Sequence, residues 1–123
     1  MAAYRIRAAV MKLKFYEKKT CTTCRKAKAF LIDRGADLEV VDLNKGLSAA
    51  EIEALIGDRD YRKFLNPRNE LYRDMKMKDG PPPRGEAVRL MSENPNLIRR
   101  PVIVRGKQVL AGFDPEALDA LIR

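Results

Sequence analysis

The arrangement that most limits how this chain can fold lies between residues 11 and 43. The stretch MKLKFYE (11–17) alternates apolar and polar residues, the pattern of a half-buried strand. Cys24, Ala27, Phe30 and Leu31 then recur at helical spacing until Gly35 supplies a stop. LEVVDL (38–43) follows as a compact apolar run with β-branched residues at its centre, a second strand. Strand, helix and strand within about 30 residues make a βαβ unit, with parallel strands and a right-handed crossover.

The middle of the chain carries helical signals. Ser48 and Glu51 have capping-box spacing ahead of Ile52, Leu55 and Ile56, and Gly57 closes that helix. DYRKFL (60–65) and NELYRDM (69–75) read as short helices separated by Asn66-Pro67. KDGPPPRG (78–85) is a loop, because its prolines forbid a helix interior and a central strand alike. GEAVRLMSEN (85–94) is a further helix, ended by Pro95, and Met75, Met77 and Met91 read as core or near-core residues. PVIVRGKQVLAGF (101–113) gives two short strands around a turn at Arg105-Gly106-Lys107. Asp114 caps a final helix with Pro115 at its first position and Leu118, Leu121 and Ile122 along one face.

The order is βαβ, a helical block, then ββα: one α/β domain over 11–123, preceded by a short N-terminal extension, 1–10. The chain has 123 residues, 46% of them apolar, enough for one core. With 34% charged residues and no run of about 18 apolar ones, a membrane span is not expected. MAAYRIRAAV lacks the apolar stretch of a secretory signal, so the cytoplasm is the expected location. The net charge of +8 suits small anions or an acidic protein partner. Basic residues are interleaved with acids and do not alternate with aromatics, so direct nucleic-acid binding is not expected.

The only two cysteines lie three apart in KKTCTTCRKAKAFL (18–31), in a chain without histidine. A structural disulfide across so small a loop restricts the unfolded chain least, and a cytosolic setting keeps thiols reduced. A structural zinc site takes four protein ligands, which two cysteines alone cannot supply, so no metal is expected. Inert core thiols fit poorly with the flanking Lys18, Lys19, Arg25 and Lys26, which argue for a wet, positive site. C-x-x-C beside a βαβ pattern points instead to a reactive pair. Cys21 is the nucleophile by position: at the start of a helix, free backbone N–H groups and the positive helix end favour its thiolate. Cys24, one turn later and more covered, is the resolving thiol. Arg25 is either a helix-surface residue or a supporting neighbour of the thiolate.

C-x-x-C-R-K-A opening the first helix, the helical block between βαβ and ββα, and LIRRPVIV ahead of a hairpin together resemble the glutaredoxin-type arsenate reductase family, which includes the Spx-type regulators. The resemblance covers nearly all of 11–123 and implies a thioredoxin-like fold with Pro101 in the cis form. It implies that Cys21 attacks arsenate and that Arg100, directly before Pro101, holds the oxyanion. A guanidinium fork suits a tetrahedral oxyanion. A second family arginine falls at Asn66, with Arg68 nearby matching the Spx-like branch, and a third falls at Phe113. Cys24 stands where glutathione-dependent members often have serine. Arg99 reads as a solvated neighbour of Arg100. The implied function is a thiol-dependent oxidoreductase reducing arsenate to arsenite. It binds no cofactor and draws electrons from glutathione and glutaredoxin or from thioredoxin. The alternative the resemblance implies is a redox-switch regulator that binds the RNA polymerase α-subunit.

Overall fold

The computed structural model describes residues 11–123; the expected extension, 1–10, lies outside the described residues. Strand β1 (Met11–Glu17) leads into helix α1 (Thr22–Asp33), which returns the chain to β2 (Ala36–Asp42). Helices α2 (Ala49–Ile56), α3 (Glu70–Asp74) and α4 (Arg84–Glu93) form the central block, joined by 3-10 turns at Leu43–Lys45, Tyr61–Phe64 and Pro95–Leu97. The chain closes with β3 (Val102–Arg105), β4 (Gln108–Ala111) and α5 (Pro115–Ile122). Strand order in the sheet is β2-β1-β3-β4. β1 and β2 are parallel from Met11↔Ala36 to Glu17↔Asp42, while β3 pairs antiparallel with both β1 and β4. This α/β arrangement is the thioredoxin-like fold that the resemblance implies.

Alternation along the strands divides the core between the two faces of the sheet. Leu13, Phe15 and Ile103 pack with Cys24, Ala27 and Leu31 of α1 and with Leu118 and Leu121 of α5. On the other face Tyr16 and Val102 meet Ile52 and Ile56 of α2 and Ala87, Val88 and Met91 of α4. Glu17 ends β1 buried, and its carboxylate is compensated by Lys28 Nζ at 2.7 Å. No helix among the described residues is long and apolar enough to cross a membrane.

Local signals fix most of the element ends. Ser48 Oγ accepts from Glu51 N at 3.1 Å while Glu51 Oε1 accepts from Ser48 N at 3.0 Å, the reciprocal cap that the spacing predicts. Asp114 accepts from Glu116 N at 3.1 Å and Pro115 opens α5. Gly106, at φ +58°, lets the β3–β4 hairpin turn.

Three expectations need correction. β2 begins at Ala36 and ends at Asp42, because it pairs with β1 along its whole length; Leu43 instead opens a 3-10 turn capped by Asp42. The expected helix over 60–65 is only the 3-10 turn Tyr61–Phe64. Met75 caps the five-residue α3 and is 42% exposed, whereas Met77 and Met91 are buried.

Candidate active site

Cys21 stands immediately before α1, in extended conformation, as the residue that caps the helix. Its Sγ accepts from the backbone N–H of Cys24 at 3.3 Å, and its own N–H donates to Lys18 O at 2.9 Å. Of the free first-turn N–H groups that suggest Cys21 as nucleophile, that of Cys24 therefore points at its sulfur. Cys21 is half-buried; Cys24 is fully buried against the core under the sheet, and both thiols are free.

These surroundings separate the two thiols. Burial, the largest influence on Cys21, would raise its pKa. The hydrogen bonds from the Cys24 side chain and backbone, together with the attraction of the Arg100 guanidinium, outweigh it and lower the pKa. For Cys24 burial dominates, and with the neighbouring Cys21 it pushes the pKa up to about 12. The difference leaves Cys21 the more readily ionised thiol and Cys24 a protonated one a turn behind it.

Cys21 and Thr23 line a cavity of about 220 Å³. Across it lie Arg99 and Arg100, the loop Asn66-Pro67-Arg68, and Gly112 and Phe113. No carboxylate belongs to this lining. The Arg100–Pro101 peptide bond is cis, as the resemblance implies, and Arg100 Nη1 donates to Asn96 O at 3.3 Å. Arg100 Nε is buried without a hydrogen-bond partner. An N–H buried without a partner is uncommon in a folded protein, and this one belongs to a residue of the cavity lining.

Two chain segments are laced together to form the far wall. Asn66 N donates to Leu97 O at 2.8 Å, Arg99 N to Phe64 O at 2.7 Å, and Leu65 bridges to Ile98. Asn66 Nδ2 adds a bond to Asn96 O at 3.1 Å, and its Oδ1 accepts from Arg68 N at 3.0 Å. Asn66, where the resemblance places an arginine, thus holds the loop that carries Arg68 to the cavity. Lys18 Nζ donates to Asn96 Oδ1 at 3.0 Å, joining the cysteine loop to the same wall.

The structure therefore brings Cys21, Arg68 and Arg100 together, with Cys24 directly behind. Arg25 is exposed on α1 and is not part of the cavity lining. Arg99, read from the sequence as a solvated neighbour, does line it, as do Thr23 and Gly112. The readable sign of Arg99 was weak: a glycine after β4 that leaves room for its guanidinium.

Compared with known proteins, residues 16–121 match the ArsC family. The chain belongs to that family. The uncharacterized protein YusI of Bacillus subtilis (strain 168) is 30% identical over 114 residues, 89% of this chain and 97% of that protein. The global transcriptional regulator Spx of Enterococcus faecalis is 25% identical over 109 residues, 86% of this chain and 83% of that protein. The solved structure of an arsenate reductase from Vibrio cholerae superposes with a TM-score of 0.77 at 26% identity, covering 90% of this chain and 98% of that one.

In this ArsC-family chain the backbone N–H of Cys24 donates to Cys21 Sγ, and the two neighbouring free thiols are expected to oxidise to an internal disulfide. Peroxide treatment of the reduced protein is expected to lower its mass by two hydrogens, and dithiol reductants should restore it. Sulfenic acid on Cys21 alone, or only intermolecular dimers, would contradict this pairing.

Proposed function

We propose that the chain is a thiol-dependent oxidoreductase that reduces arsenate to arsenite, with Cys21 as nucleophile. One observation carries this reading. A half-buried thiol of lowered pKa shares a cavity of about 220 Å³ with Arg68, Arg99 and Arg100, and no carboxylate lines it. Such a cavity attracts an oxyanion and keeps a nucleophile beside it.

The chemistry closes with two thiols. The Cys21 thiolate attacks arsenic and displaces hydroxide, forming an S–As bond with arsenic still pentavalent. A second thiol then attacks the Cys21 sulfur. The S–S bond forms, the S–As bond breaks, and its electron pair leaves with arsenic as trivalent arsenite. Cys24 is the nearest second thiol. Part of what holds its pKa up is the Cys21 charge, and that part disappears once Cys21 carries arsenic. Two electrons from glutathione and glutaredoxin, or from thioredoxin, return the disulfide to thiols.

Arsenate-dependent consumption of reducing equivalents, with each donor system supplied in turn, tests the reading. Turnover lost in Cys21→Ser supports it. No turnover by the wild-type protein with any donor overturns it.

Similarity to the Spx regulators favours a second reading, in which the cysteine pair is a redox switch and the surface binds the RNA polymerase α-subunit. A pull-down of that subunit by the reduced against the oxidised protein distinguishes it: capture that depends on redox state favours the switch.

A further inference from the structure

Arg99 is an exposed residue whose guanidinium rests against a glycine. A Cβ placed on Gly112 would stand 2.5 Å from Arg99 Nε and 3.2 Å from its Cζ and Nη2. The guanidinium therefore lies close against the backbone just after β4, in space that any side chain at 112 would fill. Gly112 has φ +89°, a conformation glycine adopts without strain. Its N–H donates to Pro101 O at 2.8 Å, fastening this backbone to the residue after Arg100. At the other end Arg99 is pinned by its own N–H on Phe64 O at 2.7 Å. The ion pairs among the described residues include none with Arg68, Arg99 or Arg100.

We propose that Arg99 sets the charge specificity of the Cys21 cavity: with Arg100 it forms a paired guanidinium clamp that selects doubly charged tetrahedral oxyanions over singly charged ones, and Gly112 is the positioning residue that seats it. The proposal rests on the oxyanion reading of this cavity and adds what that reading lacks, a reason for charge discrimination. Attraction scales with the product of the charges, so each guanidinium favours a dianion about twice as strongly as a monoanion at the same distance. A second cation on the same wall of the cavity therefore widens the gap between anions of the same shape.

Sulfate and perchlorate are the probes, because both are tetrahedral and they differ in charge. The readout is the concentration of each anion that halves alkylation of Cys21 by iodoacetamide at constant ionic strength. The wild type is expected to prefer sulfate, and Arg99→Ala to reduce the sulfate-to-perchlorate preference about tenfold, the order of one lost charge-assisted contact. Arg99→Lys should retain part of it, since a point charge attracts without the fork. Gly112→Ala should mimic Arg99→Ala, and combining the two should bring no further loss. Where Gly112→Ala fails to fold, Arg99→Ala and Arg99→Lys carry the test alone. A merely structural arginine would shift the melting temperature and leave the anion preference unmoved. Sulfate protecting the wild type and Arg99→Ala with the same preference over perchlorate overturns the role of Arg99. Sulfate failing to protect the wild type at all overturns the oxyanion reading beneath it.

Discussion

Replacement of Cys21 by serine is expected to slow iodoacetamide alkylation of the reduced protein at pH 7 by at least about tenfold, while Cys24→Ser retains a fast-reacting thiol. The magnitude follows from ionisation. With a pKa of about 12 in the intact pair, the thiolate fraction of Cys24 at pH 7 is of order 10⁻⁵. Cys21→Ser removes the part of that shift due to Cys21 and narrows the gap between the two thiols, while burial, the largest cause, remains. Even an ordinary thiol near pKa 8.5 is ionised to a few per cent there, and Cys21 lies below its ordinary value. The resulting gap is more than about three orders of magnitude. It is offset by the greater nucleophilicity of the more basic thiolate, roughly half a logarithmic unit per pKa unit, which leaves about two orders. Burial of Cys24 widens it again. The pH profile has a defined sign: with a lowered pKa, the rate in Cys24→Ser rises with pH and levels off earlier than for an unstructured thiol. Faster alkylation of Cys24 near neutral pH would reverse the assignment of nucleophile and resolving thiol.

The parts of this site that were legible in the sequence are those set by local spacing. A C-x-x-C stretch after a strand already places Cys21 at a helix start, since α1 begins where the free N–H groups must find an acceptor. Arg100 was legible through its proline neighbour. Arg99 was not, because its place depends on contact with Gly112, a residue on another strand end. Asn66 looked like the loss of a cation. Only the pairing of 64–66 with 97–99 reveals it as the fastening of the Arg68 loop.

The same division holds for the fold. A capping box at α2, an aspartate cap with proline at α5, and periodic apolar residues in both located these helices, whose faces span two turns or more. α3 has five residues, too few to define a face, and so Met75 was assigned to a core it does not reach. β2 starts earlier than its apolar run because Ala36 and Asp37 pair with β1 through backbone alone, which requires no particular side chain.

Arg100→Ala is expected to lower kcat/KM for arsenate ten- to a hundredfold, chiefly through KM, from the loss of a charge-assisted contact worth roughly 1.5–3 kcal/mol. Two effects of the substitution must be separated. Arg100 also favours the Cys21 thiolate, so its removal raises that pKa, but the Cys24 hydrogen bonds contribute more and remain in place. Measured above both pKa values, the thiolate is fully formed in each protein and only the oxyanion contact differs. The wall of the cavity should survive the change, because Asn96 O still accepts from Asn66 Nδ2 when Arg100 Nη1 is gone. Arg100→Lys should rescue only in part, since an ammonium cannot offer two parallel N–H groups to two oxygens. The experiment measures the loss of the whole guanidinium, one of three that line the cavity. A kcat/KM at the wild-type level in Arg100→Ala would remove Arg100 from the site and leave Arg68 and Arg99 to hold the anion.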